Sequence, residues 1–245
     1  MSKQNETGHA INVANFEDLI SFCTGYGTAY NPTKERITLT ALSTKQQATE
    51  AASQAVNNAL PVYTNAVNAR ELLFKPLKKL VTRIPYAVKA SDAAPNVAAD
   101  VTSIVRKLQG TRATPKAKDN PATPQNEAEN SISASQLSFD SRVQNLDKLN
   151  KLLASIPAYK PNETELTVAS LTSLHGQMKA ANSAVINSVT PLSNSRIARI
   201  DDLYNANTGL LAIVNDVKDY LKSVFTANSP QYKQVSKLKF VQYKP

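Results

Sequence analysis

The sequence predicts an all-α protein, an elongated helical bundle built from two internally duplicated repeats. Helix formers dominate and helix breakers are scarce: 6 of the 245 residues are glycine, and tryptophan is absent. Apolar residues recur at spacings of three and four, the helical period, rather than two. The stretch Tyr30–Leu42, YNPTKERITLTAL, returns as Tyr159–Leu171, YKPNETELTVASL. Both copies read tyrosine, a proline two residues on, a polar cluster and then an apolar helical entry. Aromatic residues are only 6% of the chain, so its core must be mostly Leu, Val, Ile and Ala.

In chain order, residues 1–13 are polar and are expected to be a disordered N-terminus. Asn15 is placed to cap a short helix, NFEDLISFC, with Phe16, Leu19, Ile20 and Cys23 as its buried stripe. Asn31-Pro32 makes a turn, and Thr33 is the expected cap of the long helix after it. From Leu42 a seam of alternating four and three runs through Gln46, Thr49, Ser53, Val56, Leu60 and Tyr63 to Val81. Pro61 lies inside that phase, so the helix either kinks there or ends and restarts with proline at its first position. Pro76 and Pro85 are further interruptions. Pro95 opens a helix that Gly110 closes. Leu210, Ile213, Val214, Val217 and Leu221 share one face of the last long helix. Beyond Pro230, Val235–Val241 reads as a strand or as an extended strap lying over the bundle.

The second half aligns on the first. NLDKLNKLL from Asn145 falls on NFEDLISFC from Asn15 at an offset of 130, the tyrosine motif at 129, and Pro61 on Pro191, Phe74 on Tyr204 and Leu80 on Leu210 at 130. Thr190-Pro191 is the better helix start of the two proline sites and favours a break. The expected organisation is a first helical repeat at 14–110, a flexible linker at 111–136 with three prolines and almost no large apolar residue, a second repeat at 137–227, and a basic aromatic tail at 228–245. Each repeat is expected to pack Tyr30 or Tyr159 against its own helices.

The net charge is +9 with a pI near 9.5, a balance that suits an acidic partner, nucleic acid or an anionic surface. The excess is concentrated between Arg70 and Lys118 and in the tail. Lys75, Lys78, Lys79 and Arg83 recur at helical spacing, and Lys233, Lys237 and Lys239 are interleaved with Tyr232, Phe240 and Tyr243. These seven cations are the candidate basic interaction surface. The lone Cys23 permits no internal disulfide, the first residues lack an apolar signal core, and no apolar run approaches the ~20 residues of a membrane span. A cytoplasmic location is expected and a membrane partner is disfavoured.

Tyr159-Lys160-Pro161-Asn162-Glu163, Asn194-Ser195-Arg196 ahead of Leu203-Tyr204, and the run Ser229–Ser236, SPQYKQVS, resemble an uncharacterised family of helical bacterial proteins associated with the Bacteroidetes. The resemblance covers most of the chain and is most specific at the last motif. It implies a bacterial source and carries no activity and no site residues.

Chemistry has little to stand on. His175 lacks a second histidine or a carboxylate three or four residues on, so it is no metal motif. Cys23 sits on an apolar face without a basic neighbour, which reads as core. Six glycines do not build a phosphate loop. Asp201-Asp202 and Glu17-Asp18 are helix neighbours that do not face each other, and they read as solvated or first-turn acids. No catalytic, metal or cofactor-binding residue is expected, and no cofactor. The function expected is a non-enzymatic helical structural or protein-interaction protein, with a protein partner or self-association. The alternative is a nucleic-acid-binding protein that uses the basic helix face and the lysine-rich tail.

Overall fold

A computed structural model describes residues 6–111 and 136–242, and every regular element among them is helical. In order these are α1 (Glu6–Gly25), α2 (Leu39–Phe74), α3 (Leu77–Lys89), α4 (Pro95–Gln109), α5 (Phe139–Ala154), α6 (Val168–Tyr204), α7 (Leu210–Phe225) and α8 (Pro230–Ser236). Short 3-10 turns, Glu35–Ile37 and Thr164–Leu166, precede the two long helices.

Several helix ends follow local chemistry closely. Ser229 caps α8 by accepting from the Tyr232 N–H, with Pro230 at the first helical position. Gly110 closes α4 at φ 71°, and the Thr111 N–H returns to the Arg106 carbonyl, 3.0 Å away. The caps of the long helices are Thr38 and Thr167, whose hydroxyls accept from the Ala41 and Ser170 N–H groups. Thr33 does not cap. The 3-10 turn puts the cap five residues downstream of it, at Thr38.

Other boundaries differ from those expected. α1 begins at Glu6, with His9 and Asn12 buried, because the polar side chains of residues 9–15 find partners inside the fold. Asn15 is not a cap: it lies mid-helix and donates to the Lys239 carbonyl. Both long helices continue through their prolines, Pro61 in α2 and Pro191 in α6. Pro85 likewise lies inside α3, and only Pro76 marks a real break. The seam from Leu42 is buried at Gln46, Thr49 and Val56, breaks at the exposed Leu60, and is buried again at Phe74, Leu77 and Val81. After α8 no strand forms among the described residues, and the chain continues as a strap without regular secondary structure. Residues 6–13 of the expected disordered N-terminus are thus helical, while residues 1–5, 112–135 and 243–245 lie outside the described residues.

The chain forms two compact units. The terminal unit comprises residues up to Tyr63 together with Ser188 onward, and the central unit comprises Thr64–Asn187. Neither corresponds to the 14–110 and 137–227 division. The core of the terminal unit joins Phe16, Leu19, Ile37 and Leu42 from the first half of the chain to Leu203, Leu210, Val217 and Val235 from the second. That of the central unit joins Phe74, Val81, Ile84 and Val101 to Leu146, Leu149, Leu166 and Leu171. Each unit therefore takes the opening elements of one half and the closing elements of the other. Helical periodicity specifies a face to bury but not the face it meets.

Candidate interaction site

Both units are arranged around a tyrosine turn. In the terminal unit the Tyr30 hydroxyl donates to the Ile37 carbonyl at 2.5 Å. In the central unit the Tyr159 hydroxyl donates to the Leu166 carbonyl at 2.7 Å. Each bond ties the turn to the last residue of its 3-10 segment, and each tyrosine is almost wholly buried. Burial pushes the Tyr159 hydroxyl up to about 12 and raises that of Tyr30 as well. These hydroxyls act as structural donors at any physiological pH.

The helix facing each turn comes from the other half of the chain. Tyr30 meets Tyr220 of α7 edge-on, with centroids 5.3 Å apart, so it does not pack only on its own half. The buried stripe of α3, Leu77, Val81, Ile84 and Val88, corresponds to Leu210, Val214, Val217 and Leu221 of α7 at an offset of 133, not the 130 that pairs Leu80 with Leu210. The extra residues form the turn after Tyr204, closed by Gly209 donating to the Asn205 carbonyl. A side chain at Gly209 would strike the Asn205 backbone at 2.5 Å, so only glycine fits.

In that register the ion pairs of the two units coincide with their signs exchanged. Arg36 of the first turn holds Asp216 of α7, whereas Glu165 of the second turn holds Arg83 of α3 at 2.7 Å. Asp216 also receives Lys34. Partial burial pushes the pKa of its carboxyl up, and the hydrogen bonds from Lys34 and Arg36 outweigh this and hold it below the usual range.

The units differ in what fills them. In the terminal unit the Tyr220 hydroxyl also accepts from the Asn31 N–H at 2.9 Å, filling the space between turn and helix. The corresponding residue of α3 is Ala87. A groove of about 610 Å³ lies there in the central unit, bordered by Arg83, Tyr86, Asp92, Lys160 and Glu163.

A second difference lies at the helix ends. In the terminal unit His9 Nδ1 is 2.8 Å from the Tyr204 hydroxyl, and Asn12 donates to that hydroxyl. The Asn12 amide also grips the strap: its Nδ2 donates to the Val241 carbonyl at 2.9 Å and its Oδ1 accepts from the Val241 N–H at 2.7 Å. Lys218 donates to the Leu238 carbonyl and covers the Phe240 ring. At an offset of 130 the His9–Tyr204 pair becomes Phe139–Phe74, packed edge-to-face at 4.9 Å, and Asn12 becomes Arg142. A cavity of about 320 Å³ lies beside Phe74, Phe139 and Arg142 in the central unit, bordered also by Lys75 and Lys78. The buried Nε of Arg142 has no hydrogen-bond partner.

Of the sequence-predicted cations, Lys78, Lys79 and Arg83 are exposed on α3 and Lys75 is exposed in the turn before it, all in the central unit. Lys233, Lys237 and Lys239 are exposed in the terminal unit. Arg83 is engaged by Glu165. Tyr232 and Phe240 pack onto the terminal core and are not free platforms for bases, while Tyr243 lies outside the described residues.

Cys23 is fully buried, and burial lifts its thiol to about 12, which suppresses the thiolate. No group of three or more metal-ligating side chains gathers among the described residues, and no described helix is long and apolar enough to cross a membrane. Asp202 is not a solvated acid. It receives Lys45 and Thr49 in a half-buried cluster, joined from α6 and α2, that sequence neighbours could not reveal. Arg142 was also hidden, because its meaning lies in the comparison with Asn12, upstream of the obvious alignment. No family model, curated protein or solved structure matches the chain.

Proposed function

We propose that this chain is a non-enzymatic helical interaction protein of the cytoplasm. In this reading it is built from two duplicated repeats that exchange their closing halves, and it engages a protein partner through its central unit. The observation that carries the proposal is the contrast between units sharing one layout. The terminal unit covers its turn with Tyr220 and its helix ends with the strap. Among the described residues the central unit leaves grooves at both places. Apolar walls with a rim of charged side chains are the make-up of a protein-binding cleft.

Replacing Ala87 by tyrosine tests this, because it restores at the turn groove the residue that fills the other unit. Ala87→Tyr is expected to retain its helical signal and melting temperature while losing the partners that wild type captures from native cells. Identical capture by both proteins would refute a role for the groove.

The alternative is nucleic-acid binding through α3. It is favoured by the exposed row Lys75, Lys78 and Lys79. Micromolar affinity for duplex DNA or RNA that falls steeply between about 50 and 200 mM salt would establish it. The absence of binding at low salt would remove it.

A further inference from the structure

The geometry points to the cavity beside Phe74, Phe139 and Arg142 as a seat for an extended acidic peptide segment of a partner protein. The assignment rests on the interaction reading above and on the correspondence between units. In the terminal unit the residues corresponding to Phe74, Phe139 and Arg142 hold the strap after α8, whereas in the central unit the cavity is bordered on that side by Leu108 and Gln109 of α4. In the terminal unit Asn12 binds both backbone groups of Val241 in the way a strand neighbour would. The walls correspond residue by residue: His9 to Phe139, Tyr204 to Phe74, and Asn12 to Arg142.

The substitutions redefine what fits. Two phenylalanines replace a polar pair, so the seat offers an apolar wall to a side chain placed as Val241 is. Arg142 replaces a neutral amide that is both donor and acceptor with a guanidinium that only donates. Its buried Nε lacks a partner, and a carboxylate is the group that meets that fork. Lys75 and Lys78 on the rim outnumber Glu71 and favour an acidic segment over a basic one. Arg70 is engaged elsewhere, with its guanidinium 3.8 Å over the Phe139 ring. Phosphate would satisfy the cations but not the phenylalanine walls, which is why a peptide is favoured over a nucleic acid.

The test uses the full chain and fluorescein-labelled probes read by anisotropy at low ionic strength. The pentapeptide Leu-Glu-Phe-Val-Glu copies the apolar pattern of the strap with carboxylates added. Leu-Gln-Phe-Val-Gln is its neutral control, and a thymidine pentanucleotide supplies phosphates. The acidic peptide is expected to bind about tenfold more tightly than the neutral one. Arg142→Asn, which installs the terminal unit's residue, is expected to weaken the acidic peptide by about tenfold and leave the neutral one unchanged. Lys78→Gln, on the exposed rim, gives a smaller loss without risk to folding, and Lys233→Gln in the other unit gives none. Equal affinity for the two peptides, no binding, tighter binding of the pentanucleotide, or an unaltered Arg142→Asn would each overturn the assignment. A chain that ignores all three probes yet loses its cellular partner on Ala87→Tyr would sink this seat and leave the interaction reading standing.

Discussion

The Tyr159 hydroxyl is bonded to the Leu166 carbonyl in a nearly water-free setting. Phenylalanine at this position would keep the ring packing and leave a buried acceptor unpaired. Tyr159→Phe is expected to cost about 1–3 kcal/mol in chemical denaturation, and a loss within error would show that solvent reaches the carbonyl. Asp216 makes a different prediction, because its carboxyl is held below its ordinary value by Lys34 and Arg36. A depressed carboxylate contributes stability that is complete above its unfolded value, near pH 4, and is lost as pH falls through the lower folded value. The melting temperature of wild type should therefore fall across that acid window more steeply than that of Asp216→Asn. Parallel acid limbs would mean that the ion pairs are too solvated to matter.

Among elements, capping and turn chemistry were legible where the signals are local. Ser229-Pro230 opens α8 and Gly110 closes α4 as their residue types demand. Proline left two outcomes open, because its cost in a helix is one backbone hydrogen bond and a local clash, which tertiary packing can outweigh. Both long helices run on through Pro61 and Pro191. Polar residues 9–12 did mislead. Read alone they suggest fraying, but Tyr204 and the strap supply their missing partners. The site was legible only in part. The exposed lysines of α3 were visible from their spacing, whereas Ala87 and Arg142 carry no signal until each is compared with Tyr220 and Asn12 in the other unit.

For the whole molecule, the division into two units makes a direct prediction. Each unit requires both halves of the chain. A chain cut at a protease site placed between Thr111 and Gln136 should migrate as one species by light scattering and separate only in denaturant. Two fragments that part under native conditions would contradict the assembly. Aggregation has no bearing on the outcome if the uncut chain carrying the same site is monodisperse.

The sequence alone determined that the chain is helical, that it carries two similar tyrosine turns, and which face of α7 is buried. These follow from backbone propensity, periodicity and short-range hydrogen bonding. Only the tertiary structure decided which halves meet. Among the described residues, the elements before α2 do not share a core with α3 and α4, which follow it. Their apolar faces are buried instead against the related elements of the other half. Hydrophobic burial is non-directional, so helical periodicity alone does not select the partner.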